Sequence, residues 1–329
     1  MKSKEITNLL VGSASICDYP TIQGAVDALE QMPAGRAEIT ILSGVYHENV
    51  QINRSDVAVR GIGEVEIRAG RYARQLDASG REIGTFATAT LVICGRNVLI
   101  DNLTITNDAG QGEEVGQALA VYAYCDETVF RSCTLKGHQD TLFTGPLPPA
   151  TKHGLPFEGF PHPHEHEHYR QLYLNCRIEG TVDFIFGGAT AYFHRCELVS
   201  LRRGSEGPGY ITAASTPEEA GRGYVFNECY LTAEEGAGEI YLGRPWRSFA
   251  KTDFVNCRMD GHIHPLGWDN WGKADNERTV RYREFGVNNA AVLAGQRVPW
   301  AVCTEDMDDS LRMERVFAGT DFWKRYLRN

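Results

Sequence analysis

The sequence predicts an all-β fold, a right-handed parallel β-helix with a short N-terminal capping helix and a C-terminal helical tail. Three observations predict it: a recurring strand pattern, glycine-rich breaks between its copies, and an amphipathic segment near the start of the chain. Apolar and polar residues alternate within each copy, which is typical of half-buried strands. Recurrence every few tens of residues is typical of a solenoid, in which each coil packs on its neighbours.

The recurring pattern has five copies, each of which carries a cysteine after an apolar run and ends in a turn. The copies are VFRSCTLKG (129–137), YLNCRIEG (173–180), YFHRCELVS (192–200), VFNECYLTA (225–233) and FVNCRMDG (254–261). An earlier relative, VLIDNLTITND (98–108), has Leu103 where the others have cysteine. Cysteines at equivalent places in successive coils would stack as small hydrophobic residues. We therefore interpret them as packing residues rather than as metal or redox groups.

Two segments predict helical structure at the ends of the solenoid. The segment TIQGAVDALEQ (21–31) has Thr21 as a helix N-cap and one apolar face. That face consists of Ile22, Ala25, Val26 and Leu29. We expect this helix to cover the open end of the solenoid, which would otherwise expose core and unpaired strand edges. The segment TEDMDDSLRMERVF (304–317) can do the same at the far end.

Composition describes an ordinary globular protein, and its charge limits the partners. Hydrophobic residues make up 42% of the 329 residues and charged residues 23%, as in most soluble domains. No linker-like stretch interrupts the chain, so we expect a single domain over residues 1–329. The net charge of −10 argues against nucleic acid or an anionic membrane as partner. The negative net charge does not exclude an acidic sugar as partner, because a single arginine at the binding site can pair with one sugar carboxylate.

Cysteine content and the N-terminus indicate where the protein works. Nine cysteines, an odd number, do not suggest a disulfide scaffold. The N-terminal residues contain no apolar stretch long enough for a signal peptide or a membrane span. We therefore expect a reducing, cytoplasmic location, or secretion if a leader has been removed. The sequence does not predict an oligomeric state.

Two acidic residues stand out against apolar strands. Asp183 lies inside GTVDFIFGG (180–188), and Asp140 follows Gln139 in KGHQDTLF (136–143). An ionised carboxylate left without partners in apolar surroundings costs several kcal/mol. Such a group is therefore normally paired, hydrogen-bonded or functional.

Further polar residues complete a candidate catalytic site. Gln117 and Gln139 are 22 residues apart, about one coil, so both amides could project from stacked strands into one place. Arg244 and Trp246 share one strand parity in YLGRPWR (241–247). In this interpretation Asp183 is the nucleophile or base, kept ionised by the arginine. The glutamines would stabilise an oxyanion, and the tryptophan would offer an apolar face to a sugar ring.

Asp140 would be the acid of this site, since two carboxylates with unequal pKa values suit acid–base chemistry near neutral pH. Each residue also has a structural interpretation. Asp140 could cap a turn, and the glutamines could form a polar ladder along the solenoid. Arg244 and Asp183 could be a structural ion pair, and the tryptophan could belong to the core.

Nine stretches of the chain resemble the pectinesterase (pectin methylesterase) family of carbohydrate esterases and occur in the family's order. The stretches are GVYHENV (44–50), TFATAT (85–90), GQALA (116–120), GHQDTLF (137–143), GTVDFIFG (180–187), YITAAS (210–215), LGRPW (242–246), GWDNW (267–271) and YREF (282–285). They span nearly the whole chain. GTVDFIFG and LGRPW are highly specific, whereas GQALA alone would be weak.

The resemblance implies a right-handed parallel β-helix that hydrolyses galacturonic methyl esters without a metal or other cofactor. The implied substrate is methyl-esterified galacturonan or its oligosaccharides. By position, Asp183 matches the family's nucleophile and Asp140 its general acid, which later acts as base. The matching oxyanion and cleft residues are Gln117, Gln139, Arg244, Trp246, Thr85 and, in the nucleophile motif, Phe186.

The mechanism implied by the resemblance has two steps. Asp183 attacks the ester carbonyl while the glutamines hold the tetrahedral oxyanion. Asp140 protonates the departing methanol and then takes a proton from the water that attacks the acyl-enzyme anhydride. Methanol and a free galacturonate carboxylate are the products.

A cleft-side loop, residues 145–169, is longer than the corresponding connection in many plant members of the family. It is rich in proline and aromatic residues, and we expect it to wall off one end of the cleft and to favour oligogalacturonides over long pectin. Its alternating histidines are His162, His164, His166 and His168. They could bind Zn²⁺ or Ni²⁺, although a solvated, pH-sensitive loop is the favoured interpretation. His138 replaces an aromatic residue that is common before the Gln-Asp pair.

Four rival functions remain open from the sequence. A β-helical glycosidase would cut the polygalacturonate backbone with paired acids and produce new reducing ends. A β-helical lyase would need a calcium-binding acid cluster, and the sequence indicates none. A non-catalytic carbohydrate-binding solenoid conflicts with the intact set of site residues. An esterase for other acyl groups, thioesters included, conflicts with the presence of Arg244 and Trp246.

Overall fold

Parallel strands in three rows form a solenoid in the computed structural model, which describes residues 6–151, 153–157, 165–289 and 294–327. The first row contains β1 (Thr7–Val11), β2 (Ala37–Tyr46), β4 (Val57–Ala69), β6 (Leu99–Asp101), β9 (Thr128–Arg131), β12 (Arg170–Leu174), β15 (Thr190–His194), β18 (Tyr224–Asn227), β21 (Lys251–Val255), β23 (Arg281–Phe285) and β24 (Val302–Thr304). Each strand pairs in parallel with the strand of the next coil.

The second and third rows complete each coil. The second row begins with the ends of β2 and β4 and continues with β7 (Thr104–Asn107), β10 (Thr134–Lys136), β13 (Arg177–Gly180), β16 (Glu197–Ser200), β19 (Tyr230–Ala233) and β22 (Arg258–Met259). The third row is β3 (Val50–Ile52), β5 (Leu91–Ile93), β8 (Val121–Ala123), β11 (Leu142–Thr144), β14 (Ile185–Gly187), β17 (Gly209–Ala214) and β20 (Ile240–Gly243). The predicted parallel β-helix is confirmed.

Helical segments in the described ranges are short. They are α1 (Ile22–Glu30), α2 (Gly112–Val115), α3 (Met313–Val316) and the 3-10 turns Thr85–Ala87, Ala274–Arg278, Asp309–Leu311 and Lys324–Tyr326. None of the helices among the described residues has the length and apolar character needed to cross a membrane.

The predicted cysteine stack is confirmed and lies at the turn between the first and second rows. The residue before each of these cysteines has φ between 51° and 54°, so it bends the chain sharply in the left-handed region. All five cysteines are buried, and each thiol donates to a carbonyl of a preceding coil, as Cys196 Sγ does to Tyr173 O at 3.4 Å. Leu103 occupies the equivalent buried position.

Aromatic rings form a second ladder inside the solenoid. Ring centroids of neighbours in this ladder are 4.4–4.9 Å apart. The ladder contains Phe130, Tyr173, Phe193, Phe226 and Phe254. The stacked cysteines and rings belong to one hydrophobic core that runs from Val11 to Val298. That the whole of 1–329 forms a single domain stays a prediction.

The N-terminal helix forms as predicted. Thr21 Oγ1 accepts a hydrogen bond from Gly24 N at 3.2 Å, and the predicted apolar face is buried. The Glu48 carboxylate, which the sequence did not indicate, accepts from the backbone N–H groups of Ile22 and Gln23 at 2.9 Å each. Because a carboxylate at a helix N-terminus is favoured by the helix dipole, Glu48 fixes α1 against the first coil.

The C-terminal segment does not cover the far end of the solenoid, so that prediction is wrong. Apolar residues from 263–301 continue the core past Phe254, with Trp268 stacked on Tyr282 at 4.1 Å. The helical tail instead packs across the outer face of the first row. The covering residues are Leu311, Met313, Val316, Phe317, Phe322 and Trp323. The outward side chains of the first row are themselves apolar and need this cover.

Candidate active site

The two predicted carboxylates lie in the turns that lead from the second row to the third. Asp140 follows β10 and Asp183 follows β13, and each is two residues before a strand of the third row. Those strands pair Leu142 with Ile185, so the two acids occupy equivalent places on neighbouring coils although 43 residues separate them in sequence. Asp140 is 8% exposed and Asp183 is 6% exposed.

The sequence pattern predicted that Asp183 lies within a strand, and this prediction is wrong. The strand begins at Ile185, and Asp183 has φ of 51° and Asp140 φ of 65°. Aspartate is among the few side chains that adopt this left-handed region at small cost. A hydrogen bond from Asp140 N to Val182 O at 3.0 Å joins the two turns. The bend carries each carboxylate from the core to the edge of the third row.

Arg244 holds the Asp183 carboxylate with two hydrogen bonds. Its Nε donates to Oδ1 at 2.8 Å and its Nη2 to Oδ2 at 2.7 Å, a bidentate geometry that is stronger than a single neutral hydrogen bond. The guanidinium carbon lies 3.9 Å from the ring centroid of Tyr210 and 3.8 Å from that of Trp271. The two rings hold the guanidinium between them and add cation–π attraction.

Burial and neighbouring charges act differently on the pKa values of the two acids. Burial raises the pKa of Asp140 well above its usual value, the negative charge of Asp183 raises it further, and Arg244 opposes the rise. Burial also raises the pKa of Asp183, but the hydrogen bonds and positive charge of Arg244 oppose that rise. Asp140 is therefore the group that favours the protonated form, and Asp183 has the partner that favours the ionised form.

All of the predicted site residues line one cleft of about 400 Å³. Its lining residues are Thr85, Phe86, Gln117, Gln139, Asp140, Phe157, Asp183, Phe186, Ala213, Arg244, Trp246 and Trp271. The glutamines were expected to project from strands, but they project from the turns before β8 and β11. Gly112 of α2 packs directly on one of them, since a Cβ there would come within 2.5 Å of Gln139 Oε1. Any side chain at Gly112 would push this amide away.

Four aromatic residues that line the cleft or contact Arg244 were not singled out from the sequence. Trp271 and Phe86 lie in motifs quoted for the family resemblance, and Phe157 lies in the cleft-side loop. Tyr210 precedes Thr212 by two residues, and Thr212 pairs with Ile185. Counting back along that register places Tyr210 beside Asp183, so strand register is the signal that could have found it.

Two of the histidines that drew attention in the sequence, His166 and His168, have partners outside the cleft. His166 Nε2 is 2.9 Å from Cys94 O, and His168 Nε2 is 3.9 Å from Glu167 Oε1. His162 and His164 lie outside the described residues. In the described part of the chain, no group of three or more His, Cys, Asp or Glu side chains could hold a metal ion. The pKa of His138 is lowered by burial.

Replacing Asp140 with asparagine is expected to stabilise the fold at alkaline pH. The folded-state pKa of Asp140 is raised above its unfolded value of about 3.9. Its stabilising contribution is therefore fully present below about pH 4 and is lost as the pH rises towards the folded-state pKa. Asparagine cannot ionise and avoids this loss.

Urea unfolding midpoints of the parent and Asp140→Asn measure this difference. They should nearly coincide at acid pH, and the variant should have the higher midpoint at alkaline pH. A variant that unfolds at lower urea concentration at alkaline pH would show that the ionised Asp140 carboxylate is well stabilised in the fold.

Comparisons with known proteins agree with the fold. A family model described as Pectinesterase matches residues 8–146 and 156–323. Pectinesterase 31 of Arabidopsis thaliana is 30% identical over 301 residues, which cover 89% of this chain and 85% of the relative.

Two solved structures are similar over almost the whole chain. Pectin methylesterase from carrot has a TM-score of 0.82 at 26% identity and covers 98% of this chain and 97% of its own. A pectin methylesterase in complex with hexasaccharide VII has a TM-score of 0.74 at 26% identity, with 96% and 98% covered. The solenoid has the right-handed sense of such enzymes, as predicted. The chain therefore belongs to the pectinesterase family.

Proposed function

We propose that the protein removes methyl groups from methyl-esterified galacturonan or its oligosaccharides, with Asp183 as nucleophile and Asp140 as acid and base. As a pectinesterase it is a carboxylic ester hydrolase. The observation that supports the roles is the pairing of one carboxylate with Arg244, opposite a second carboxylate whose pKa is raised, within one cleft.

The first half of the reaction forms an acyl-enzyme. The ionised Asp183 carboxylate attacks the carbonyl carbon of the methyl ester, and the carbonyl π electrons move to oxygen. Gln117 and Gln139 donate amide hydrogen bonds to this oxyanion from neighbouring coils. When the oxyanion collapses, the C–O bond to methanol breaks and Asp140 gives its proton to the leaving oxygen. A mixed anhydride on Asp183 remains.

The second half returns the enzyme to its starting state. Asp140, now ionised, takes a proton from a water molecule as the water oxygen attacks the galacturonyl carbon of the anhydride. Collapse of this intermediate breaks the bond to Asp183 and releases the galacturonic acid carboxyl group, which gives its remaining proton to solvent and becomes galacturonate. Asp140 is protonated and Asp183 is ionised again, as both were before the cycle.

Arg244 prepares the Asp183 carboxylate, and the aromatic residues of the cleft contact the substrate. Arg244 neutralises the negative charge of Asp183 before attack, and the two rings beside it limit its movement. Trp246 and Phe186 present their rings to the cleft, with centroids 5.7 Å apart, and offer apolar faces to sugar rings. Thr85 lines the same cleft from a 3-10 turn.

Methanol release from methylated trigalacturonate tests this function. We expect methanol to appear with no change in the length of the oligosaccharide. New reducing ends without methanol would indicate a glycosidase, and unsaturated products without methanol would indicate a lyase. Either outcome would contradict the proposal.

Removing the charge partner of Asp183 is expected to shift the pH dependence of catalysis. In Arg244→Gln the pKa of Asp183 rises, so the acid limb of the kcat/KM profile should move up by about 1–3 pH units. Arg131→Gln is a matched control, because Arg131 holds Asp101 with the same bidentate geometry on the first row. An acid limb that stays in place in Arg244→Gln would remove the arginine from the proposed role.

We also propose a reducing, cytoplasmic location, in which the enzyme would act on imported methylated fragments. The cysteines support it, since all nine lie in the described residues and none is paired in a disulfide. Fractionation of the source cells tests it. Recovery of the protein outside the cytoplasmic fraction would contradict this location.

A further inference from the structure

The described parts of the cleft-side loop are held on the outer face of the third row. Arg247 Nη2 donates to Ala150 O at 2.8 Å before the middle of the loop. Near its end, Glu165 Oε2 accepts from the hydroxyl groups of Tyr124 and Tyr169, at 2.8 Å each. Hydrogen bonds therefore hold Ala150 and Glu165, on either side of Phe157 in sequence, against the coils.

One residue of this loop, Phe157, completes a ring of four aromatic side chains. Its ring centroid lies 5.6 Å from that of Phe86 and 5.8 Å from that of Trp246. Phe186 makes the matching contacts on the other side, 6.4 Å from Phe86 and 5.7 Å from Trp246. Three of these rings belong to the coils of the solenoid, and Phe157 alone among the four comes from the loop.

The position of this ring limits the direction in which a sugar chain can leave the cleft. Phe86 precedes β5 and Trp246 follows β20, so they belong to the first and the last of the coils that carry β5, β8, β11, β14, β17 and β20. Phe157 contacts both and packs on the apolar cluster at the outer surface of the third row. A sugar chain extending from the carboxylates over this surface meets Phe157 instead of open solvent.

We propose that Phe157 is a specificity-determining residue that makes short methylated oligogalacturonides better substrates than long pectin. This inference rests on the proposed function, because it concerns how the same site selects among galacturonic methyl esters. The Phe157 side chain offers an apolar face to the last sugar that fits in the cleft beside it. It excludes the sugar that would follow in a longer chain. A polymer can place only its end there, so fewer of its ester groups can reach Asp183.

Methanol release from methylated trigalacturonate and from highly methylated pectin measures this preference. For the parent we expect a higher kcat/KM, per ester group, on the trimer. Phe157→Ala should shift the trimer-to-polymer ratio towards the polymer on the order of tenfold, the scale of discrimination by one apolar contact. Phe157→Trp should shift the ratio the other way.

Leu155→Ala is the matched control, since Leu155 lies in the same loop with its side chain 63% exposed. It should leave the ratio unchanged. A parent that favours the polymer, or a ratio that neither Phe157 variant changes, overturns this inference while methanol release still supports the proposed function. No methanol from either substrate overturns both.

Discussion

Replacing Asp183 with asparagine is expected to lower kcat for methanol release by roughly 10⁴-fold or more. Asparagine has the shape of the carboxylate, but its amide oxygen is too weak a nucleophile to attack an ester. The cleft, the oxyanion donors and Asp140 all remain, so substrate binding should change far less than kcat. Steady-state kinetics on methylated trigalacturonate separate the two quantities.

Asp101→Asn is the control for this variant. Asp101 is another buried aspartate, 7% exposed, and it accepts two hydrogen bonds from Arg131 on the first row, away from the cleft. The change therefore removes the same kind of ion pair without touching the site, and activity should stay within a few-fold of the parent. If Asp183→Asn kept activity as well as this control does, another group would have to be the nucleophile.

Replacing Asp140 with asparagine is expected to lower kcat roughly 10²- to 10⁴-fold, the usual contribution of a general acid or base. Because methoxide is a poor leaving group, acyl-enzyme formation depends on a proton from Asp140. Parent activity should fall at acid pH as Asp183 becomes protonated and at alkaline pH as Asp140 ionises. The alkaline limb should be absent from the residual activity of the variant.

Rescue distinguishes this role from a structural one. A galacturonate ester with a leaving group that needs no proton should acylate Asp140→Asn nearly as fast as it acylates the parent. A merely misfolded site would stay slow with both kinds of ester. An unchanged alkaline limb in the variant would assign that limb to a different group.

The parts of the fold that depend on local pattern could be predicted from the sequence. Thr21 and the apolar spacing of α1 identify that helix, because caps and periodicity act within a few residues. The cysteine stack was predictable because its members repeat in sequence. The position of the tail was not predictable from its own residues. Its signal lies in first-row strands such as β12, which are apolar on both faces and so need cover on both.

Some residues of the candidate site could likewise be predicted from local sequence, and others could not. Asp140, Asp183 and Arg244 could be found from motifs, and the parallel register of β11 and β14 places the two carboxylates on neighbouring coils. Strand register places Tyr210 of β17 beside Asp183. The position of Trp271 against the same guanidinium could not be predicted, since this residue lies in a turn on a different coil. Phe157 belongs to a long loop whose path depends on tertiary hydrogen bonds rather than on local sequence.

The most direct test of nucleophilic attack uses the nitrophenyl ester of galacturonate with Asp140→Asn. Acylation then needs no acid, while deacylation lacks its base, so the covalent intermediate should accumulate. We predict a burst of nitrophenolate equal to the enzyme concentration and a galacturonyl adduct on the peptide that contains Asp183. Steady turnover with an unmodified Asp183 peptide, or an adduct on another residue, would contradict covalent catalysis by this carboxylate.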